Sequence, residues 1–83
     1  MNVTIRYFAA IREAVGQGSE TVSTQAPTLG ALRDELIARG DPWAQSLGRG
    51  RAVRMALDQT LSDESAALAD GAEVAFFPPV TGG

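Results

Sequence analysis

The sequence contains no cysteine, no histidine and no lysine, and all seven of its positive charges are arginine. Cysteine and histidine provide the usual thiol and imidazole nucleophiles, the proton shuttle near neutral pH and most ligands of structural zinc. Their absence argues against an enzyme that works alone and against a bound metal ion. The absence of lysine leaves the amino group of Met1 as the only free amine at which the chain could be joined to another copy of itself.

Positive charge of any kind is scarce, because seven arginines are opposed by ten acidic residues and the net charge is -3. Such a chain has no basic surface for a phosphate backbone, so we expect no binding to nucleic acid and favour a partner with a basic surface. Residues 1–8 lack the apolar core of a secretory signal, and a composition of 45% apolar and 20% charged residues is not that of a membrane span or a disordered chain. We expect a cytoplasmic protein without membrane contact.

The chain has 83 residues, which is enough for one domain with a single small core. We therefore expect residues 1–83 to form one domain. Four segments with alternating apolar and polar residues predict strands, and a short fifth strand is predicted around Leu61, after a turn at Asp58 and Gln59. The four segments are 1–8, 19–23, 52–57 and 73–77.

The helices are predicted from apolar spacing and from capping residues. Leu29, Leu32 and Leu36 recur at helical spacing and predict one long amphipathic helix. Thr28 can cap the start of this helix, and Gly40 can end it. Two short helices complete the prediction, over residues 9–15 and, after an N-cap at Asp41, over residues 42–47.

The order of these elements is strand, strand, helix, strand, short strand, strand, which describes an α+β domain. A mixed sheet would carry the one main helix on one face, with the first and last strands side by side in its centre. This is the ubiquitin-like β-grasp arrangement, and we expect it here together with a flexible Gly-Gly arm at the C-terminus.

The last six residues, 78–83, predict an arm that leaves the sheet. Pro78 and Pro79 cannot donate backbone hydrogen bonds and favour an extended chain, while Gly82 and Gly83 leave the terminal carboxylate unhindered. At about 3.1 Å per residue, an extended arm reaches roughly 19 Å. Since the chain offers no other distinctive reactive group, the carboxylate of Gly83 is the predicted reactive centre. A frayed terminus without a role is the alternative.

Strand parity places two aromatic side chains on the face of the sheet that the main helix leaves open. If Tyr7 and Phe76 face the helix, their neighbours Phe8 and Phe77 must face away from it. Together with Leu61 and the arm, these two side chains predict a surface that binds a partner. The alternative is that one of the two phenylalanines is covered by a loop.

Three stretches carry a resemblance to a known family. They are Asp70–Gly83 (DGAEVAFFPPVTGG), Tyr7–Ala9 (YFA) and Asp58–Leu61 (DQTL). With these stretches and a nearly equal length, the chain resembles from end to end the small subunits of molybdopterin synthase, which are the sulfur carriers of molybdenum cofactor biosynthesis.

The resemblance implies a reaction at the C-terminus. In that family an ATP-dependent activating enzyme, similar to those of ubiquitin, adenylates the terminal glycine, and a sulfur donor displaces AMP to leave a thiocarboxylate. The arm then enters the large synthase subunit, where its sulfur attacks the cyclic pterin precursor, and two carriers form a heterotetramer with a large-subunit dimer. The carrier itself is not catalytic and holds no cofactor, because ATP and Mg²⁺ belong to the activating enzyme.

The same resemblance implies that Gly83 is the reactive terminus and Gly82 its unhindered neighbour. It places the partner interface at Phe8, Leu61, Phe77, Val80 and Thr81. No residue of the chain is expected to bind a cofactor or a metal. Three alternatives stay open: a sulfur carrier for thiamine thiazole or for tRNA thiolation, a ubiquitin-like modifier joined to target lysines through Gly83, and a noncovalent adaptor.

Overall fold

Eight elements follow one another in the computed structural model, which describes residues 1–79. They are β1 (Asn2–Tyr7), α1 (Ala9–Val15), β2 (Ser19–Ser23), α2 (Leu29–Ile37), α3 (Trp43–Leu47), β3 (Arg54–Leu57), β4 (Thr60–Ser62) and β5 (Glu73–Phe77). The order is the one predicted from the sequence. None of the helices that residues 1–79 form is long and apolar enough to cross a membrane.

The five strands form one mixed sheet with the order β2-β1-β5-β3-β4. Strands β1 and β5 are parallel, with Ile5 beside Val74 and Tyr7 beside Phe76. The other three pairs are antiparallel. The first and last strands therefore lie together in the sheet, as the pattern of alternating residues predicted, and the fold class is confirmed as a mixed sheet with helices.

One face of the sheet packs against α2 because alternate residues of each strand point to that side. Tyr7 and Phe76 stack there, with their ring centroids 6.4 Å apart. Burying a large apolar side chain contributes roughly 1.5–3 kcal/mol relative to leaving it in water, so the side chains on this face account for most of the packing energy. The most deeply buried side chains of this core are Val3, Ile5, Tyr7, Val74 and Phe76 from the strands, and Leu29, Leu32, Leu36 and Leu47 from α2 and α3.

Helix α2 begins as predicted, since the hydroxyl of Thr28 accepts a hydrogen bond from the backbone N–H of Ala31 at 3.2 Å. Gly30 weakens the intrinsic helix propensity of the first turn. Its backbone N–H, however, donates to the carbonyl of Glu64 at 3.0 Å, and a Cβ at this position would lie only 3.0 Å from the Cβ of Glu64. A side chain at this position would therefore push the segment that follows β4 away by a few tenths of an ångström.

The two short helices differ in how well the sequence predicted them. Helix α1 has the predicted bounds and ends at Gly16, whose φ of 84° is in the left-handed region. Helix α3 starts one residue later than predicted, with Pro42 in the N-cap position and no capping side chain. The prediction that Asp41 caps α3 is therefore wrong.

Candidate functional site

Two phenylalanines lie side by side at one edge of the open face of the sheet, the face that α2 does not cover. Because β1 and β5 are parallel, their carboxyl ends meet at the same edge. The backbone N–H of Phe8, directly after β1, donates to the carbonyl of Phe76 at 3.2 Å, which sets Phe8 beside Phe77. Phe8 is 41% exposed and Phe77 is half-buried. Pro78 follows at once, so this edge is also the root of the predicted arm.

Leu61 extends the apolar surface across the sheet. It is 63% exposed, the largest value among the large apolar side chains of residues 1–79 that are classed as exposed. Leu61 pairs across β4 and β3 with Ala56, and Ala56 pairs across β3 and β5 with Ala75. We call the surface formed by these residues the open-face patch. Its members are Phe8, Ala56, Leu61, Ala75 and Phe77.

Charged side chains border the open-face patch. A cleft of about 510 Å³ is lined by Phe8, Ala75 and Phe77 together with Arg6, Gln59 and Glu73. The guanidinium of Arg6 lies 3.8 Å from the carboxylate of Glu73 and 5.8 Å from the centre of the Phe8 ring. An apolar centre with a polar rim is the arrangement found in protein–protein interfaces.

The turn between β3 and β4 fixes the position of Leu61. Asp58 and Gln59 both have positive φ, 49° and 69°, as a tight two-residue hairpin turn requires. The backbone N–H of Asp58 donates to the carbonyl of Glu73 at 2.8 Å, and the Asp58 carboxylate accepts from the N–H of Glu73 at 3.0 Å. These two bonds tie the turn to the start of β5, so Leu61 is held in register with the rest of the patch.

A strained backbone position follows Phe8. Ala9 has a φ of 50°, although a left-handed conformation costs a residue with a side chain about 1–2 kcal/mol. The conformation lets the chain turn from β1 straight into α1, with Phe8 still extended and its carbonyl accepting from the N–H of Arg12 at 3.2 Å. Nothing in the sequence predicts this strain, because alanine is common in helices.

A polar network lies on the other face of the sheet, behind Phe8. The hydroxyl of Tyr7 donates to Glu20 at 2.7 Å and accepts from the indole N–H of Trp43 at 3.2 Å. Arg39 pairs with Glu20 at 3.0 Å and lies 4.8 Å from the centre of the Trp43 ring. Burial raises the pKa of the Tyr7 phenol above its ordinary value, and the hydrogen bond to Glu20 raises it further. The network joins α3 to the end of β1.

Arg33 holds the other end of α3. It is only 4% exposed, and its guanidinium donates to the carbonyls of Leu47 at 2.7 Å, Gly48 at 2.9 Å and Arg51 at 3.2 Å. Burial lowers the pKa of Arg33, and the nearby charge of Arg49 lowers it further. Sequence reasoning missed this residue. The available signal was its position in the apolar stripe of α2, four residues after Leu29.

The predicted site residues divide into two groups. Phe8, Leu61 and Phe77 are brought together on the open-face patch. The remaining predicted site residues, which lie outside the described residues, are Val80, Thr81, Gly82 and Gly83. Within residues 1–79 there is no group of three or more histidine, cysteine or acidic side chains that could hold a metal ion. What the described residues bring together is an exposed apolar surface with a charged rim.

Comparison with known proteins gives a consistent result. The model of the ThiS family matches residues 5–83. The chain is 44% identical over 81 residues to the molybdopterin synthase sulfur carrier subunit of Escherichia coli strain K12, covering 98% of this chain and 99% of that protein. A solved complex of subunits 1 and 2 of molybdopterin-converting factor from Helicobacter pylori contains a chain 26% identical, with a TM-score of 0.69 and full coverage of both chains. SAMP1 from Haloferax volcanii, 22% identical with a TM-score of 0.77 and full coverage of both chains, shares the fold.

Proposed function

This chain belongs to the ThiS family, and we propose that it is the sulfur-carrier small subunit of a molybdopterin synthase. The carboxylate of Gly83 would be adenylated, converted to a thiocarboxylate and used to donate sulfur to the cyclic pterin precursor. The relatives that support this proposal match almost the whole chain, and two of them, from Escherichia coli and Haemophilus influenzae, are 44% and 38% identical.

The carboxyl group of Gly83 must pass through two steps, activation by ATP and exchange of AMP for sulfur, before it can donate sulfur. A carboxylate is a poor electrophile, so ATP first converts it to a mixed anhydride with AMP, and pyrophosphate leaves. A sulfide or persulfide sulfur of the donor then attacks the carbonyl carbon, and the bond to the AMP oxygen breaks. Sulfide gives the thiocarboxylate directly. A persulfide gives an acyl disulfide with the donor, and a second thiol must attack the donor sulfur of that disulfide, which releases the thiocarboxylate and leaves a disulfide between the donor and the second thiol. Its sulfur anion is a good nucleophile toward the pterin precursor. Two carriers would bring the two sulfurs of one dithiolene.

The side chains of this subunit indicate which catalytic groups its partners would have to provide. With no cysteine, histidine or lysine in the chain, the general bases and the groups that hold ATP and Mg²⁺ would belong to the partners. We therefore propose a carrier that is not itself catalytic and binds no cofactor of its own. Its partners would be the large synthase subunit in a heterotetramer, an activating enzyme similar to those of ubiquitin, and a sulfur donor, all in the cytoplasm.

One observation of the structure carries the proposal. The open-face patch ends at the residue where the chain leaves β5, because Phe77 belongs to the patch and Pro78 follows it. A partner that binds the patch is thereby placed beside the root of the arm, which is where an enzyme acting on Gly83 must sit. The patch provides the binding energy, and the C-terminus provides the reacting group.

Intact-mass spectrometry tests the proposal directly. The full chain is incubated with its activating enzyme, ATP and a sulfur donor, and the expected product is heavier by the replacement of one oxygen with one sulfur. A chain without Gly82 and Gly83 is the control and should stay unchanged. An unmodified mass in the complete mixture would contradict the proposal.

The alternatives predict other products. A protein modifier would form amide adducts with lysines of other proteins, and an adaptor would keep its function after deletion of Gly82 and Gly83. A carrier for thiamine thiazole or for tRNA thiolation would form the same thiocarboxylate but would not bind the large synthase subunit. Titration of the thiocarboxylated chain against that subunit, with the cyclic pterin precursor as acceptor, therefore separates the last case.

A further inference from the structure

Two cavities flank the root of the arm, and only one of them belongs to the open-face patch. Phe77 lines the cleft on the open face, whereas Pro78 lines a groove of about 280 Å³ between α1 and α3. Ala10 and Ala14 of α1 form part of this groove, and Arg51 lies in it as well. Consecutive residues of the chain therefore contact two separate concave surfaces.

The α1–α3 groove is held in shape from both ends of α3. Trp43, at the start of α3, donates from its indole N–H to the buried Tyr7 hydroxyl. At the other end, the buried guanidinium of Arg33 binds the carbonyls of Leu47 and Gly48 and also the carbonyl of Arg51. The groove and the backbone of Arg51 are thus fixed before any partner arrives, which lowers the entropy lost on binding.

Arg51 provides the charge of this groove. Its side chain is exposed and forms no ion pair with another residue of the described range 1–79, whereas Arg33, Arg39 and Arg49 each pair with a carboxylate. The net charge of the chain is -3, whereas the guanidinium of Arg51 beside Pro78 carries a positive charge. Its natural complement is a carboxylate, placed next to apolar side chains that fit against Ala10 and Ala14.

We infer that the α1–α3 groove is a second contact surface for the large synthase subunit, which inserts an apolar side chain beside α1 and pairs a carboxylate with Arg51. The inference rests on the proposed function, because a subunit that receives the arm in a tunnel has to surround its root. The open-face patch covers one side of that root, and the α1–α3 groove is the concave surface that the structure presents at Pro78.

The test is the affinity of full-length variants for the purified large subunit, measured by calorimetry at low and high salt. Arg51→Gln is expected to weaken binding roughly threefold at low salt and Arg51→Glu roughly tenfold, with both effects smaller at high salt. Ala14→Leu, which fills the groove, should weaken binding at both salt concentrations. Arg12→Glu is the matched control. Arg12 lies in α1 but does not line the groove, and like Arg51 it is exposed and forms no ion pair within residues 1–79, so the change should alter affinity less than about twofold.

Thermal melting confirms that each variant is folded, because the side chains of Arg51 and Ala14 point to solvent and their loss should leave the melting temperature nearly unchanged. Wild-type affinity after Arg51→Glu and Ala14→Leu would overturn the inference, as would an equal loss in Arg12→Glu. A groove variant that binds the large subunit with wild-type affinity but is adenylated more slowly by the activating enzyme would also overturn the inference, and would assign the groove to that enzyme. If the wild-type chain itself fails to bind the large subunit, the proposed function is wrong and the inference falls with it.

Discussion

Leu61→Ala separates the energy of partner binding from the energy of folding. A fully buried leucine contributes roughly 1.5–3 kcal/mol relative to an exposed one. Since Leu61 is 63% exposed, roughly 1–2 kcal/mol is still available to a partner that covers it. Loss of that energy raises the dissociation constant for the large subunit roughly 5- to 30-fold. The remaining buried part limits the loss of folding free energy to less than about 1 kcal/mol.

The assay pairs calorimetric titration against the large subunit with urea unfolding of the free chain. Thr60→Ala is the control, because Thr60 is the exposed neighbour of Leu61 and projects from the other face of β4. It should change neither quantity by more than about 0.5 kcal/mol. If Leu61→Ala lowers the free energy of unfolding by more than it lowers that of binding, Leu61 is part of the core and the reasoning about the open-face patch is refuted.

Three further predictions concern the terminus, the strained turn and the buried phenol. Gly83→Phe should melt like the wild type but accept no sulfur by mass spectrometry; a large drop in melting temperature would show that the terminus supports the fold. Ala9→Gly should be more stable than Ala10→Gly by about 1 kcal/mol in urea unfolding, since Ala9 has positive φ and Ala10 is an ordinary helical residue; equal stabilities would mean that Ala9 is not strained. Burial raises the pKa of the Tyr7 phenol above 10.0, so the folded chain holds this proton more tightly than the unfolded chain does. The free energy of unfolding should therefore be unaffected by this group below pH 10.0 and should fall as the pH rises above that value. Tyr7 is the only tyrosine, and its ultraviolet titration should therefore coincide with alkaline unfolding; ionisation of the folded chain near pH 10.0 would contradict this.

The strands and the main helix were predictable because local pattern and tertiary structure agree. Alternation over 73–77 fixes which side chains face α2, and the cap at Thr28 depends only on residues three positions apart. The position of Phe8 beside Phe77 followed from parity once β1 and β5 were placed together. This part of the candidate site required no knowledge of the loops.

The residues that the sequence did not predict obtain their partners from distant segments. Arg33 is buried because three backbone carbonyls surround its guanidinium, one from the last residue of α3 and two from the loop that follows, and nothing in the local sequence places those carbonyls. The pairing of Trp43 with Tyr7 joins residues 36 positions apart. The prediction of an N-cap at Asp41 failed although the local pattern was favourable, because the path of the chain into α3 puts Pro42 in the N-cap position. The α1–α3 groove depends on all of these contacts and could not be foreseen.

The central position of β5 couples folding to translation. Glu73–Phe77 is the last of the described strands to leave the ribosome, yet it joins the β1–β2 hairpin to the β3–β4 hairpin. Until it emerges, neither hairpin has its neighbour, and a chain interrupted before residue 73 is left with two unjoined halves. Such a chain lacks Phe77 and the pairing of β1 with β5 that sets Phe8 beside it, so it cannot form the open-face patch.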